Sequence, residues 1–285
     1  MPTTQTRTAR SVRQAIVRQV TTVADDVVRV VLGGPGLTDL RLGNYTDAYV
    51  KLLFLPDGVE HPEPWDIGAI RSERPAAEWP VPRTYTVREH DRSRGEISLD
   101  VVVHGAVGFG GPWARRVRDG DGVHFLGPGG DWAPDVSAAW HLFVGDGTAL
   151  PAIGEALARL STGSVAVAVL DVADGELIPL STPADLRLHR HDPTRGGDRP
   201  AEILAALAGL DLPAGVPEAF VHGEADMVRA VRRWVRAEIG VPRERLSASG
   251  YWRRGRTDEA WRAGKRDWKS DVEGDDAALI GATRY

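Results

Sequence analysis

HLFVGDGTALPAIGEALARL, residues 141–160, is the stretch on which the fold turns. His141–Val144 reads as a short apolar strand and Gly145–Thr148 as a turn. Ala149–Leu160 reads as a helix, because apolar side chains recur at 149, 150, 153, 156, 157 and 160. Beyond it, Ser164–Val172 is a nearly unbroken apolar run, the kind buried on both faces of a parallel sheet. Ala201–Leu210 predicts a helix, Ala219–His222 a strand and Ala225–Ile239 an amphipathic helix. Alternation at this spacing predicts a doubly wound α/β domain whose ligand sits at the carboxyl ends of its strands. Residues 256–285 form a charged, Trp-bearing tail, helical over Asp258–Val272.

Towards the N-terminus the pattern changes near Gly127–Pro134. Ala15–Thr22, Asp26–Leu32, Ala48–Leu55, Thr84–Arg88, Glu96–His104 and Gly122–Leu126 are short Val/Ile-rich or alternating runs, each closed by Gly, Pro or Asp. Such strands, with one short helical pattern near Trp113–Val117, predict a small antiparallel barrel or sandwich. His61–Pro82 carries five prolines and little periodicity, and is expected to be a long surface loop. The boundaries that follow are 11–134, 135–255 and 256–285.

The composition excludes several classes. The 285 residues include no cysteine, which removes disulfides, thiolate-held zinc or iron–sulfur clusters and thiol nucleophiles. A net charge of −5 argues against a broad nucleic-acid footprint while leaving room for a local basic pocket. No run approaches the ~18 apolar residues of a membrane span, so no stable membrane insertion is expected. MPTTQTRTARSVRQ has no apolar signal core, and a cytoplasmic location is expected. Nine Trp against five Phe and five Tyr is an unusual balance.

P-loop, strict GxGxxG, HExxH and GxSxG motifs are all absent. His189 and His191 beside Asp192 suggest a metal, but Arg187, Arg190 and Arg195 surround them and favour a solvated loop; no metal site is expected. The first positive signal is RTYTVR at 83–88. Strand alternation puts Arg83, Tyr85 and Val87 on one face and Thr84, Thr86 and Arg88 on the other. An aromatic plane, hydroxyls and two guanidinium groups in six residues suit a flavin nucleotide, although an exposed polar strand has the same composition. DVVVHG at 100–105 follows, and Gly110–Ala114 opens a helix with backbone N–H groups that suit a diphosphate.

Taken together, these segments resemble the siderophore-interacting proteins, FAD-dependent reductases of ferric siderophores. The resemblance rests on RTYTVR at 83–88, DVVVHG at 100–105, GPWA at 111–114 and RDGDGVHFLGPGG at 118–130. It continues through GDGTALPAI at 145–153, HGEADMVRAVRRWV at 222–235 and SGYWRRGRTDEAW at 249–261. It implies an N-terminal antiparallel FAD-binding β-barrel, then a ferredoxin-reductase-like α/β domain for NADH or NADPH with a C-terminal helical tail. By matching position, Arg83, Tyr85, Thr86, Val87, Arg88, Asp100, Val102 and His104 would bind FAD, and Gly111, Pro112, Trp113 and Ala114 its diphosphate. Gly145, Asp146, Thr148, Ala149, Glu224, Tyr251 and Trp252 would face the nicotinamide.

Gly147 departs from the family's usual Gly-Asp-Glu-Thr, which leaves the choice between NADH and NADPH open, with a ferredoxin as alternative donor. The implied chemistry is flavin-centred and requires no catalytic side chain. Ferric siderophores are often anionic, so their site is expected to be basic on an otherwise negative protein. Lys51, alone in AYVKLLFL, and Arg253 or Arg254 after Tyr251-Trp252 are the expected docking cations. Two rival readings remain: a general flavin or ferric reductase of the same fold, and a siderophore-binding carrier with structural FAD.

Overall fold

The computed structural model describes residues 11–103, 108–173 and 178–282. The chain divides into two compact units between Asp131 and Trp132.

The first unit is a closed antiparallel barrel of six strands in the order β1-β2-β5-β4-β3-β6, the last pairing back on the first. The strands are β1 (Arg13–Ala24), β2 (Val27–Gly33), β3 (Tyr49–Phe54), β4 (Val81–Asp91), β5 (Glu96–Val102) and β6 (Gly122–Gly129). Alternation decides which side chains point inwards. Val30 and Leu32, Val50 and Leu52, Ile97, Leu99 and Val101, and Phe125 fill the interior with almost no exposure. Each contributes about 1.5–3 kcal/mol by burial. Closure also removes the free strand edges that a sandwich would leave.

The proline-rich segment is less irregular than the sequence suggests. Asp66 caps a short helix, α1 (Ile67–Glu73), by accepting from the Gly68 and Ala69 N–H groups. The segment is tied to the barrel where Trp65 stacks on His124 at 3.8 Å and Glu63 reaches His124 Nε2 at 2.7 Å. A second short helix, α2 (Gly110–Arg116), follows β5 and buries Ala114.

The second unit is a five-stranded parallel sheet in the order β11-β10-β7-β8-β9. It comprises β7 (His141–Asp146), β8 (Val165–Asp171), β9 (Asp185–His191), β10 (Glu218–Glu224) and β11 (Leu246–Trp252). Its helices are α3 (Leu150–Arg159), α4 (Arg199–Ala208), α5 (Ala225–Ala237) and α6 (Asp258–Ala282). Phe143, Ala166, Ala168, Leu170 and Phe220 pack with α3 on one face; Leu142, Val144, Val167, Val169 and Val221 pack with α4 and α5 on the other. This double burial explains the unbroken apolar run over 165–172.

One expectation changes here, and a strand appears that the sequence does not announce. The His189–His191 segment is an edge strand, β9, and not a loop. Pairing with β8 organises it, with His191 opposite Asp171, and its charges keep the exposed edge from pairing further. Leu246–Trp252 is also a strand, hidden in the sequence by its Ser and Gly content. The tail helix runs on to Ala282, buries Trp261, Trp268 and Val272 and meets α5 through Arg229–Asp275 and Arg232–Asp276.

Candidate functional site

On the barrel, β4 carries the flavin-like motif in a half-buried state. Arg83, Tyr85, Thr86 and Arg88 are all partly accessible, whereas Val87 turns into the core. Register with β5 slips between Val87 and Glu89, and Arg88 sits in that irregularity. Its Nε lies 3.9 Å from Asp100 Oδ2. Asp100, on the outer side of β5, has a sealed side chain and accepts a bidentate pair from Arg29 of β2, at 2.6 and 2.8 Å. Asp100 therefore holds Arg29 directly and faces Arg88, forming a charged row across three adjacent strands. The hydrogen bond from Arg29 to Asp100 raises the guanidinium pKa above its ordinary value, against a smaller opposing effect of burial.

Beside β4, the guanidinium of Arg83 lies over Phe109 at 5.1 Å, Phe54 stacks with Phe109 at 6.1 Å and Trp113 meets Phe54 edge-on at 5.6 Å. Gly110 is required where α2 begins, since a Cβ there would collide with the Tyr85 hydroxyl. Gly111, Pro112 and Trp113 are half-buried, Ala114 is sealed, and Val102 is partly accessible at the end of β5. His104 and Gly105 lie outside the described residues. Lys51 on β3 is partly exposed, with Nζ 5.7 Å from the centre of the Tyr49 ring.

In the second unit, Asp146, Glu224 and Trp252 stand at the carboxyl ends of β7, β10 and β11. Asp146 is 5% exposed and accepts four hydrogen bonds. Oδ1 takes the Thr148 N–H and hydroxyl at 2.9 and 2.5 Å; Oδ2 takes the Glu224 N–H and the Trp252 indole N–H, both at 2.8 Å. Burial pushes the carboxyl pKa up, and the donors from Thr148, Trp252 and Glu224 pull it back. Glu224 caps α5 by accepting from the Asp226 and Met227 N–H groups, while its other oxygen accepts the Arg254 N–H at 3.1 Å. A Cβ at Gly145 would strike Ala149, Ile153 and the His222 carbonyl, so only glycine lets the turn enter α3 here. Asp146 and Glu224 thus act on protein donors and set the shape of the edge. Thr148, Tyr251 and Trp252 are its more accessible members.

Of the expected cations in this unit, Arg253 pairs with Asp226 at 3.0 Å, while Arg254 is exposed. Two residues escaped the sequence reading. Arg29 is signalled only as one charge inside VVRVVL, and His222 as one imidazole inside EAFVHGE.

Residues 16–132 match the family described as the siderophore-interacting FAD-binding domain, and residues 138–255 the siderophore-interacting protein. The chain is 35% identical over 188 residues to ferric vibriobactin reductase ViuB of Vibrio cholerae, covering 64% of this chain and 68% of that one. It is 28% identical over 250 residues to the NADPH-dependent ferric-chelate reductase of Escherichia coli, covering 84% and 92%. The crystal structure of the siderophore-interacting protein SipS from Aeromonas hydrophila gives a TM-score of 0.76 at 27% identity, over 92% of this chain and 99% of that one.

The chain belongs to the siderophore-interacting protein family. Its barrel is the family's FAD-binding domain, and the residues present fit that cofactor. Hydroxyl, aromatic and guanidinium groups on β4 are open enough to be reached, and the row Arg29–Asp100–Arg88 is cationic in sum, as a diphosphate requires. Among the described residues no cluster of His, Asp and Glu is placed to hold a metal, and no helix is long and apolar enough to cross a membrane.

Proposed function

We propose that this member of the family is a ferric-siderophore reductase that passes electrons from NADH or NADPH through FAD to chelated Fe(III), releasing Fe(II) in the cytoplasm. The observation that carries the reading is the presence, in one chain, of an FAD-binding barrel and a siderophore-interacting α/β domain. Names of relatives support it: one is a ferric vibriobactin reductase and another an NADPH-dependent ferric-chelate reductase.

Bound FAD supplies the exchange between a two-electron hydride donor and a one-electron metal acceptor. The chain's own residues bind and orient. Arg83 and Arg88 pair with the diphosphate, Thr86 hydrogen-bonds the polar edge of the ring system, and Tyr85 covers its face. Arg29 and Asp100 hold this cationic wall in place. Gly111–Ala114 present backbone groups to the diphosphate. Thr148, Tyr251 and Trp252 line the nicotinamide edge, whose turn and indole are fixed by Asp146. Lys51 in the first unit and Arg254 in the second are each a cation open to an anionic chelate; Arg253 contributes less, because Asp226 already neutralises it. The siderophore supplies the whole coordination sphere of the iron, so no protein ligand to iron is needed. One NAD(P)H reduces two Fe(III) to two Fe(II), with release of NAD(P)⁺ and one proton.

An anaerobic two-step assay tests this reading. FAD-loaded protein is bleached with NADH, NADPH or a reduced ferredoxin, then mixed with catecholate, hydroxamate or mixed ferric siderophores while a chromogenic chelator traps Fe(II). Rapid return of the oxidised flavin spectrum with two Fe(II) per flavin supports the proposal. Reoxidation by free flavin or quinone, and by none of the ferric siderophores, would overturn it in favour of a general flavin reductase.

A further inference from the structure

His222 is the one imidazole in the strand EAFVHGE and is buried at 4% exposure. Its ring lies flat on Phe220, 3.7 Å between centroids and 3° between planes, and meets Tyr251 edge-on at 5.2 Å. Packing alone would be served by an apolar side chain. What an apolar side chain lacks is the pair of ring nitrogens, and both are used. Nδ1 shares a hydrogen bond of 2.9 Å with the Tyr251 hydroxyl, and Nε2 one of 2.9 Å with the Ser247 hydroxyl. Burial and the nearby Lys265 charge keep the ring uncharged, down to about 3. A neutral imidazole donates from one nitrogen and accepts at the other, and hydroxyls on both sides complete either arrangement.

Tyr251 lies at the carboxyl end of β11, one residue before the indole that Asp146 holds. We propose that His222 is a positioning residue that fixes the Tyr251 phenol for the nicotinamide donor. This rests on the reading of Tyr251 as part of the nicotinamide edge. The chain Ser247–His222–Tyr251 does for the phenol what Asp146 does for Trp252: each aromatic side chain at the end of β11 is tied by one buried acceptor-bearing group on another strand of the sheet, His222 on β10 and Asp146 on β7. Fixing both side chains before the donor arrives lowers the ordering cost of binding.

Two isosteric amides separate positioning from packing. In His222→Asn the amide occupies the place of Nδ1 and keeps the contact with Tyr251. In His222→Gln it occupies the place of Nε2 and keeps only the contact with Ser247. Both lose the same stacking on Phe220. With FAD-loaded protein, the apparent dissociation constant of NADH and NADPH is measured from anaerobic single-turnover flavin bleaching, alongside Tyr251→Phe and Tyr251→Ala.

Loss of one hydrogen bond predicts about a three- to tenfold weaker donor for His222→Gln and Tyr251→Phe, with His222→Asn within about twofold of the parent. The double variant His222→Gln/Tyr251→Phe should be no worse than either single one. Equal losses in the Asn and Gln variants, or none in either while Tyr251→Ala weakens the donor, would overturn the positioning role. No effect of Tyr251→Ala overturns the nicotinamide-edge reading itself. Reoxidation by ferric siderophore is measured in the same preparations and should not change.

Discussion

The two candidate walls are built on opposite plans. On β4 of the barrel, Arg83, Tyr85, Thr86 and Arg88 are half-buried side chains, and at the Arg88 end the sealed carboxylate of Asp100, held by Arg29, faces the row. At the carboxyl edge of the parallel sheet, the polar residues of the motif are themselves the support. Asp146 has four protein donors and Glu224 has three, so neither is disposed to meet a ligand. A barrel wall can spare side chains because its interior already supplies the fold's stability. A parallel-sheet edge must terminate strands and start helices in the same few residues, and buried polar groups there must be satisfied by protein. On the proposed reading, motifs therefore map to roles differently on the two walls: one set of residues would touch ligand, the other would hold the surface that does.

Removing one support from each wall gives the largest expected contrast. Asp146→Ala strands the Glu224 N–H, the Trp252 indole and the Thr148 donors in a buried place, and should destabilise the second unit by about 3–5 kcal/mol. Asp100→Ala leaves Arg29, whose side chain is 29% exposed and can turn to water. A cost of about 1–2 kcal/mol is expected there. Urea titrations followed by circular dichroism measure both; equal costs would mean that the walls do not differ as described.

The next effect is on ligand retention. Arg83→Ala removes a charge-assisted contact from the barrel wall and should weaken FAD by about 1.5–3 kcal/mol, some ten- to hundredfold. Flavin absorbance after extensive dialysis reads this directly, and full occupancy would remove Arg83 from the binding set. Ala at Asp146 should leave FAD retention by the folded protein unchanged, which sharpens the division between the walls.

The pH dependence of stability tests the second wall alone. His222 is held at about 3 against an ordinary 6.5. Below 6.5 the unfolded chain binds a proton that the folded chain refuses, so this contribution is complete above 6.5 and is lost as pH falls towards 3. The slope is about 1.4 kcal/mol per pH unit, or about 2 kcal/mol between 6.5 and 5. The raised carboxyl of Asp146 acts with the opposite sign, since its folded form favours the proton. Comparing His222→Asn with the parent removes Asp146 from the difference: the variant should lose about 2 kcal/mol less on acidification. Parallel pH curves for the two proteins would refute a neutral, buried His222.

Much of this organisation is legible in the sequence, for identifiable reasons. Alternation in VVRVVL and EISLDVV gives barrel strands, and the unbroken run at 165–172 gives a doubly covered strand, because burial writes itself into hydrophobic period. The RTYTVR motif is legible because its partly accessible residues are polar where packing asks for nothing polar. What stays hidden is pairing. No pattern says that Asp100 faces Arg29, since strand register comes from barrel closure and not from spacing. Leu246–Trp252 carries no strand pattern because the partners of Ser247 and Gly250 lie on β10 and α6, where His222 takes the serine hydroxyl and Lys265 the glycine carbonyl. The edge strand β9 is disguised by the very charges that protect it.

The smallest expected effect concerns the cations that stand outside both supports. Lys51 is partly exposed, and its contact with the Tyr49 ring leaves its charge available to a chelate. Rim charges act mainly through capture in water, so Lys51→Ala should cost about 0.5–1 kcal/mol, a two- to fivefold rise in KM for anionic ferric siderophores. The effect should shrink as salt is raised, because screening removes what the charge supplied. Bleaching by NADH or NADPH should be untouched, since hydride delivery does not depend on a rim cation. Arg254→Ala should behave alike and Arg253→Ala less, because Asp226 already occupies Arg253. A KM that rises equally for a neutral ferric chelate, or an effect that survives high salt, would show that Lys51 shapes the wall itself. It would then join Asp100 as a support on the barrel side.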